Sequence, residues 1–277
     1  MFLTKNYCYI DQNKTGTVYV NNLLKSFNKS YYHKHHQLPS KEIIDNEKII
    51  KFGTIRSPHS WYVSLWSFGC LRKRNSGTYS NLTKLRPFGG YGDVNNKPFA
   101  FFKKNMNYIK LKLNYDTDQL YSDPDNILMF RKWLKIVLSD EFAPIVNYPL
   151  YHSNLYRHCG LYSKELIKFY FTNHDINKAR IDFPLGLSEF LENNCYINDF
   201  ILLDYLDSNL MSFFEKYNFH LNQSLPKSKR LNVSSKKYNI YDKETYEMVL
   251  KKEKIMLNYL LKNWSINFLD NRSKYEE

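Results

Sequence analysis

The chain is poor in cysteine, and its few cysteines are far apart. Only four of its 277 residues are cysteine, and no two of them form a CxxC pair. Disulfide-stapled scaffolds and cysteine-based zinc sites both use closely grouped cysteines. The composition therefore indicates neither kind of protein.

Long uncharged apolar runs are also missing. No stretch approaches the roughly 20 apolar residues that a membrane-spanning helix needs, and the chain does not open with the charged and then apolar segments of a secretory signal. We therefore expect a soluble, cytoplasmic protein without a membrane span. No internal repeat or low-complexity tract is present.

Acidic residues are outnumbered by basic ones. The chain has 27 Asp and Glu against 40 Lys and Arg, which gives a formal net charge of +13 at pH 7. Such a surface favours anionic partners, which include nucleotides, acidic glycans, nucleic acids and membrane surfaces. Hydrophobic residues make up 43% of the chain, enough for a full core, and the length suits one large α/β domain or two small ones.

A strand, a tight loop and a helix are predicted near the start of the chain. The apolar run Tyr7–Ile10 has the length and residue types of a strand, and the polar residues 11–17 follow it. The next apolar positions have the i, i+3, i+4, i+7 spacing of one helix face: Val20, Leu23, Leu24 and Phe27. A loop that opens a helix presents free backbone N–H groups and the positive end of the helix dipole to an anion.

This loop differs from the phosphate loop of nucleotide triphosphatases. That motif, GxxxxGK[ST], has lysine after its last glycine, whereas Lys14 precedes Gly16. A kinase that uses ATP and Mg²⁺ to phosphorylate a small alcohol is therefore an alternative that the lysine position disfavours. A non-catalytic basic module that binds nucleotides or nucleic acid is a second alternative, and an ordinary strand-to-helix turn is the simplest one.

A second strand end carries another candidate anion ligand. Residues 49–55 predict a buried strand, and Arg56 follows at its carboxyl end, where open α/β sheets bind ligands. Pro58 suits the first turn of a buried helix, and Ser64 lies about two helical turns after Arg56.

Three histidines crowd into the four residues 33–36. In an extended segment, His33 and His35 face one side and His36 faces the other. A solvated basic cluster and a weak metal site are the simpler explanations. A zinc site needs further ligands that nothing in the sequence places nearby, so no metal site is predicted.

Three segments together, in chain order, resemble the sulfotransferases. The lysine loop resembles their 5′-phosphosulfate loop, and Arg56 with Ser64 resembles their 3′-phosphate site. The histidine segment resembles the Tyr-His-x-His segment of glycan uronosyl O-sulfotransferases. The matching runs are Lys14-Thr15-Gly16-Thr17 and Tyr32-His33-Lys34-His35. The resemblance implies a three-layer, P-loop-like α/β fold with a central parallel sheet flanked by helices, in a single domain over residues 1–277.

The resemblance also implies a reaction and its residues. The donor would be 3′-phosphoadenosine-5′-phosphosulfate, with Arg56 and Ser64 on its 3′-phosphate and no metal required. His35 would be the general base that takes the proton of an acceptor hydroxyl, with His33 as its support or substitute. The acceptor would be a carbohydrate or another small alcohol, and no nucleic acid partner is expected. The 5′ end of the donor would lie on the Lys14 side chain and on the backbone N–H groups of Thr15, Gly16, Thr17 and Val18.

Two long loops complete the prediction. Residues 72–105 indicate a lid over the site or a solvated insertion. Residues 223–237 are basic and precede the last helix, and in the family such a loop closes over the nucleotide, so Lys236 and Lys237 are candidate phosphate contacts. A merely solvated loop is the alternative there. The remaining pattern predicts strands at 107–113 and 198–203, and helices at 125–138, 163–171, 187–193, 207–217 and from residue 243 onward.

Overall fold

A computed structural model describes residues 1–71, 79, 82–83, 98–142, 145, 159–172, 185–219 and 240–268. Within them, five short strands form one sheet in the order β3-β1-β2-β4-β5. The strands are β1 (Phe2–Leu3), β2 (Tyr7–Ile10), β3 (Tyr32–His33), β4 (Ile50–Ile55) and β5 (Asp199–Leu202). The predicted α/β class is therefore confirmed.

The sheet is mixed, which corrects the expectation of a parallel sheet. β2, β4 and β5 are parallel neighbours, but β1 is antiparallel to both β2 and β3. The reason is the short connection between β1 and β2, where the backbone N–H of Thr4 donates to the carbonyl oxygen of Tyr7 over 2.9 Å. A turn of this length can join only antiparallel strands, because a parallel pair needs a crossover of a dozen residues or more.

This topology brings four strand ends to one edge of the sheet. Because β1 is antiparallel to both of its neighbours, β3 runs in the same direction as β2. The carboxyl ends of β2, β3, β4 and β5 therefore lie at the same edge, which we call the carboxyl edge. The segments after β2, β3 and β4 carry most of the predicted functional residues, among them Lys14, His35 and Arg56.

Helices pack on both faces of the sheet. They are α1 (Thr17–Phe27), α2 (Lys41–Asp45), α3 (Pro58–Leu71), α4 (Pro98–Asn114), α5 (Ile127–Leu138), α6 (Leu161–Tyr170), α7 (Leu185–Asn194), α8 (Leu206–Lys216) and α9 (Lys243–Trp264). Because strand residues alternate between faces, Tyr7 and Tyr9 join a core with α1 and α8, whereas Cys8 and Ile10 join a larger core with α3, α5, α6 and α9. The predicted flanking of the sheet by helices is thus observed.

One predicted element is wrong. Residues 107–113 are not a strand but the last two turns of α4. Their alternation of apolar and polar residues suggested a period of two, yet Tyr108 and Leu111 are buried while Ile109 and Leu113 are exposed. Buried residues three apart lie on one helix face, so the helical spacing decided the structure.

The two predicted loops lie mostly outside the described residues. Residues 98–105 of the predicted lid form the first half of α4. Most of residues 72–97, and the whole of 223–237 with Lys236 and Lys237, lie outside the described ranges. The helix after the second loop begins as predicted, because the Asp242 side chain accepts from the backbone N–H of Thr245 and closes a capping box.

Candidate functional site

The loop after β2 is held by a chain of buried hydroxyl groups. Thr54 in β4 donates to the hydroxyl of Thr15 over 2.9 Å, and Thr15 donates to the carbonyl oxygen of Gln12 over 2.9 Å. The hydroxyl of Tyr9 lies 2.8 Å from that of Thr54. Since the Thr15 hydroxyl is already used within the loop, this residue can offer a ligand only its backbone N–H.

The start of α1 leaves backbone N–H groups available to a ligand. Gly16 is the N-cap residue and gives no side-chain cap, and the first helical bond runs from the N–H of Val20 to the carbonyl oxygen of Gly16 over 3.1 Å. The N–H groups of Thr17 and Val18 therefore have no partner within the helix. Gly16 has φ 75°, which glycine adopts without strain, and a Cβ atom there would lie 2.5 Å from Leu203 Cδ1, so glycine suits this position.

The Lys14 side chain lies on helix α3. Its Nζ atom is 3.0 Å from the ring centroid of Phe68. Burial lowers the pKa of the Lys14 ammonium group from 10.5 to about 8. Lys14 has φ 65°, a left-handed conformation that is uncommon outside glycine. The protein therefore holds a weakly solvated cation at the beginning of α1.

Arg56 joins the loop after β4 to the loop after β2. Its Nε donates to the hydroxyl of Ser60 over 2.9 Å, and its Nη1 donates to the carbonyl oxygen of Lys14 over 3.4 Å. The hydroxyl of Tyr162 in turn donates to the carbonyl oxygen of Arg56 over 2.8 Å. The structure therefore brings the Arg56 guanidinium group to the backbone of Lys14, while the Lys14 ammonium group lies against Phe68.

Ser64, the predicted partner of Arg56 at the 3′-phosphate, lies one helical turn beyond Ser60, whose hydroxyl Arg56 contacts. Ser60, Ser64 and Phe68 follow each other at four-residue intervals, so they occupy successive turns along one side of α3. Arg56 contacts the first of them and Lys14 the last. Ser64 is half-buried and lies on the helical turn between these two contacts.

A buried carboxylate holds the predicted base, His35. Asp11 follows β2 directly, is fully buried, and has its Oδ2 atom 2.9 Å from Nδ1 of His35. Burial alone would raise the pKa of Asp11. The Met1 amino group, through its hydrogen bond and its positive charge, and the hydrogen bond from the N–H of His36 together outweigh burial, so the pKa of Asp11 is lowered. Asp11 is therefore ionised, so Nδ1 of His35 carries the donated proton and Nε2 is the acceptor. The imidazole is 48% exposed and so accessible to a substrate.

The prediction that His36 faces away from His35 is wrong. His36 has φ 52°, which ends the extended conformation, and the two ring centroids are 3.7 Å apart. The N–H of His36 donates to both carboxylate oxygens of Asp11, over 3.0 and 3.1 Å, and its Nδ1 atom lies 2.7 Å from the carbonyl oxygen of Asp11. This cluster of Asp11, His35 and His36 is the one group of possible metal ligands found among the described residues.

His33 is close to His35 but does not support it directly. Their ring centroids are 6.3 Å apart, and His33 lies in β3 opposite Phe2. Burial and the nearby charge of Lys25 lower the pKa of His33. The residue that orients His35 is Asp11, which the sequence pattern indicates only as part of a polar turn.

Two signals in the sequence point to the residues that were missed. Asp11 is the first residue after a buried strand, at the sheet edge where α/β proteins bind ligands. Ser60 stands four residues after Arg56, one helical turn nearer than Ser64. Both positions follow from the predicted elements once a ligand site is assumed there.

Together these features define an α/β protein with a cationic and imidazole-bearing site at the carboxyl edge of its sheet. The part of the chain that the structure describes has no helix with the length and apolar character to cross a membrane. Comparison with protein-family models, with curated proteins and with solved structures finds no match to this chain.

Proposed function

We propose that this protein is a sulfotransferase that moves a sulfuryl group from 3′-phosphoadenosine-5′-phosphosulfate to the hydroxyl group of a carbohydrate or another small alcohol. The observation that carries the proposal is the junction of two strand ends, where Arg56 Nη1 lies 3.4 Å from the carbonyl oxygen of Lys14. The Arg56 guanidinium group thus contacts the backbone of the loop that carries Lys14, beside the N-terminus of α1. A doubly phosphorylated nucleotide could be held between these two loops.

The donor would bind along this junction. Its 5′-phosphosulfate would accept hydrogen bonds from the backbone N–H groups of Thr17 and Val18, with those of Thr15 and Gly16 alongside. Arg56 would present its fork of donors to the 3′-phosphate, with the hydroxyl of Ser64 beside it. This contact would select a 3′-phosphorylated nucleotide over ATP. The parallel β2, β4 and β5, with helices on both faces, support a P-loop-like arrangement.

Lys14 would act on the bond that breaks. In sulfuryl transfer, the sulfur–oxygen bond to the 5′-phosphate breaks and negative charge develops on that oxygen. The Lys14 ammonium group, drawn from Phe68 to the phosphate, stabilises this charge as it forms. The products are a sulfate ester and adenosine 3′,5′-bisphosphate.

His35 would act on the bond that forms. The acceptor oxygen attacks sulfur from the side opposite the leaving oxygen, and its proton passes to Nε2 of His35. The carboxylate of Asp11, 2.9 Å from Nδ1, stabilises the imidazolium that results. Asp11 is a positioning residue in this scheme, because it acts through His35.

Isothermal titration calorimetry tests the donor site with three probes: adenosine 3′,5′-bisphosphate, ATP with Mg²⁺, and a single-stranded oligonucleotide. We expect the bisphosphate to bind tightest of the three. In a separate assay with the full donor, we expect labelled sulfate to be transferred to at least one member of a panel of sugars and small alcohols. Tightest binding of ATP with Mg²⁺ would indicate a kinase instead. Tightest binding of the oligonucleotide, with a steep salt dependence, would indicate a nucleic-acid module.

A further inference from the structure

The Asp11, His35 and His36 side chains form a compact set of metal-ligating groups. A carboxylate oxygen of Asp11 and one ring nitrogen of each histidine lie within 4.8 Å of one another. They come from the segments that follow β2 and β3 at the carboxyl edge. Two imidazoles and a carboxylate are ligands that zinc and similar divalent ions prefer, whereas Mg²⁺ and Ca²⁺ prefer oxygen ligands alone.

The backbone of His36 is bent to make this arrangement. Side chains of consecutive residues in an extended segment point to opposite sides, yet the rings of His35 and His36 have centroids 3.7 Å apart. The φ angle of 52° at His36 produces this, and the two hydrogen bonds from its N–H to Asp11 hold it. A left-handed conformation is uncommon at a residue other than glycine, and such conformations are concentrated at functional sites.

We propose that Asp11, His35 and His36 bind one zinc-type divalent ion, and that the bound ion blocks His35 and thereby inhibits sulfuryl transfer. The binding part stands on the cluster alone, and the inhibition part rests on the proposed function. Nδ1 of His35 and Oδ2 of Asp11 are 2.9 Å apart. Two ligands of tetrahedral zinc, each about 2.1 Å from the ion, stand about 3.4 Å apart, so a small side-chain movement admits the ion between them. The imidazole of His35 then ligates through Nδ1 and carries its proton on Nε2, which can no longer accept the proton of a substrate.

The surroundings of Asp11 suit a ligand carboxylate. Its Oδ1 atom contacts the amino group of Met1, and Nδ2 of Asn21 lies 3.4 Å from Oδ2. Such outer contacts fix the orientation of a ligand and leave it less to reorganise when the ion binds. With three protein ligands, the fourth position of a tetrahedral ion stays open to water.

Titration of the metal-free protein with Zn²⁺ and with Co²⁺ tests the binding, by calorimetry and by the visible absorption of four-coordinate Co²⁺. We expect one site that His36→Gln weakens by at least about tenfold and that Asp11→Asn weakens comparably. His33→Gln is the matched control, because His33 is an adjacent histidine outside the cluster, and it should retain the site. Mg²⁺ should not bind there. Zinc affinity equal in wild type, His36→Gln and Asp11→Asn would overturn the proposal.

Inhibition is measured separately, as the ratio of transfer rates with and without Zn²⁺ within each variant. Wild type should lose most of its activity at saturating Zn²⁺ and regain it with a chelator, and His36→Gln should need at least about tenfold more Zn²⁺ for the same loss. If the cluster binds zinc but the rate of sulfuryl transfer is unaffected, the proposed inhibition by zinc is refuted. If the protein transfers no sulfate under any condition, the proposed function fails, while the binding titrations still decide the metal site.

Discussion

The guanidinium group of Arg56 donates from Nη1 to the carbonyl oxygen of Lys14 over 3.4 Å, and from Nε to the hydroxyl of Ser60 over 2.9 Å. These bonds hold one planar group against the loop after β2 and against the first turns of α3. The contact therefore fixes the relative position of two loops that the sequence separates by about forty residues. A ligand that spans both loops meets a site that is already assembled, which reduces the ordering that binding must bring about.

Replacement of Arg56 tests whether this contact between the two loops contributes to ligand binding. Arg56→Ala should weaken the binding of adenosine 3′,5′-bisphosphate by about 10–150-fold, because hydrogen bonds to a charged group contribute about 1.5–3 kcal/mol. Arg56→Lys should give an intermediate loss, since lysine keeps the charge but lacks the planar fork. Calorimetric titration of each variant gives the affinities.

The matched control for Arg56 is Lys132→Ala, which also removes one positive charge but from an exposed position on α5. It should bind the bisphosphate as wild type does. Equal affinities for Arg56→Ala and Lys132→Ala would refute the 3′-phosphate contact and leave only a general effect of net charge.

The sequence was most informative where local pattern and tertiary structure agree. The strand Tyr7–Ile10, the loop and α1 occur where predicted, because the stripe of Val20, Leu23 and Leu24 is buried against the sheet. Arg56 lies directly after β4 for the same reason: the apolar run before it has the length of a strand. Parallel pairing of β2 with β4 then brings their following loops to one edge.

Asp11→Asn tests the orientation of His35. The amide of asparagine can donate a hydrogen bond to Nδ1, which would leave the proton on Nε2 and remove the base. We expect kcat for sulfuryl transfer to fall by about 10²–10⁴-fold, the contribution typical of a general base. Affinity for adenosine 3′,5′-bisphosphate should stay close to that of wild type, since in the proposed reaction Asp11 acts through His35 on the acceptor.

Asn21→Ala is the control for Asp11→Asn, because Asn21 contacts the same carboxylate without contacting His35. It should lower kcat by much less. Thermal unfolding of both variants checks that they fold. If Asn21→Ala lowers kcat as strongly as Asp11→Asn, the carboxylate has a general structural effect and does not position His35.

Loss of the Lys14 charge should produce the alkaline fall in the pH profile of kcat/KM. Burial lowers the pKa of Lys14 to about 8, so the free protein loses this charge as the pH rises through that value. Since kcat/KM reports ionisations of the free enzyme, it should fall about tenfold per pH unit above pH 8. Lys14→Arg keeps its charge at every accessible pH, so its kcat/KM should be lower than that of wild type but level between pH 8 and 10. An alkaline fall with the same midpoint in Lys14→Arg would exclude Lys14 as its source.

Features that depend on distant pairing could not be predicted from local pattern. The two-residue β1 is too short for any periodicity, yet it lies between β2 and β3 and is antiparallel to both. The turn at His36 depends on hydrogen bonds to Asp11, 25 positions earlier in the chain. In α4, burial against neighbouring helices decided between two periods that the sequence of residues 107–113 fits equally well.

Glu253 stabilises the fold away from the candidate site. This fully buried side chain of α9 accepts a hydrogen bond from the hydroxyl of Tyr62 over 2.5 Å and another from the N–H of Ser163 over 3.0 Å. The Tyr62 hydroxyl accepts from the N–H of Leu161 over 2.8 Å, so Tyr62 and Glu253 together satisfy two N–H groups at the start of α6 and tie it to α3 and α9. A Cβ atom at Gly160 would overlap Glu253, which requires glycine there.

Loss of this carboxylate should destabilise the protein strongly. Glu253→Ala leaves buried donors of Tyr62 and Ser163 without an acceptor, at about 1–3 kcal/mol each, and we expect urea unfolding to show a loss on the order of 3 kcal/mol. The control is Glu192→Ala, whose exposed pair with Lys262 should contribute less than about 1 kcal/mol. Similar losses in the two variants would contradict the structural importance of Glu253.

The pH dependence of stability gives a second test of Glu253. Burial raises the pKa of its carboxyl group above the usual 4.5, so the folded protein holds this proton more tightly than the unfolded chain does. Unfolding then releases a proton, and the stability contributed by this group falls as the pH rises from about 4.5 through the raised folded value. Glu253→Gln cannot ionise, so the free energy of unfolding of wild type relative to Glu253→Gln should decrease between pH 5 and 8. A difference that stays constant or increases over that interval would show that the carboxyl group is already ionised in the folded protein at pH 5.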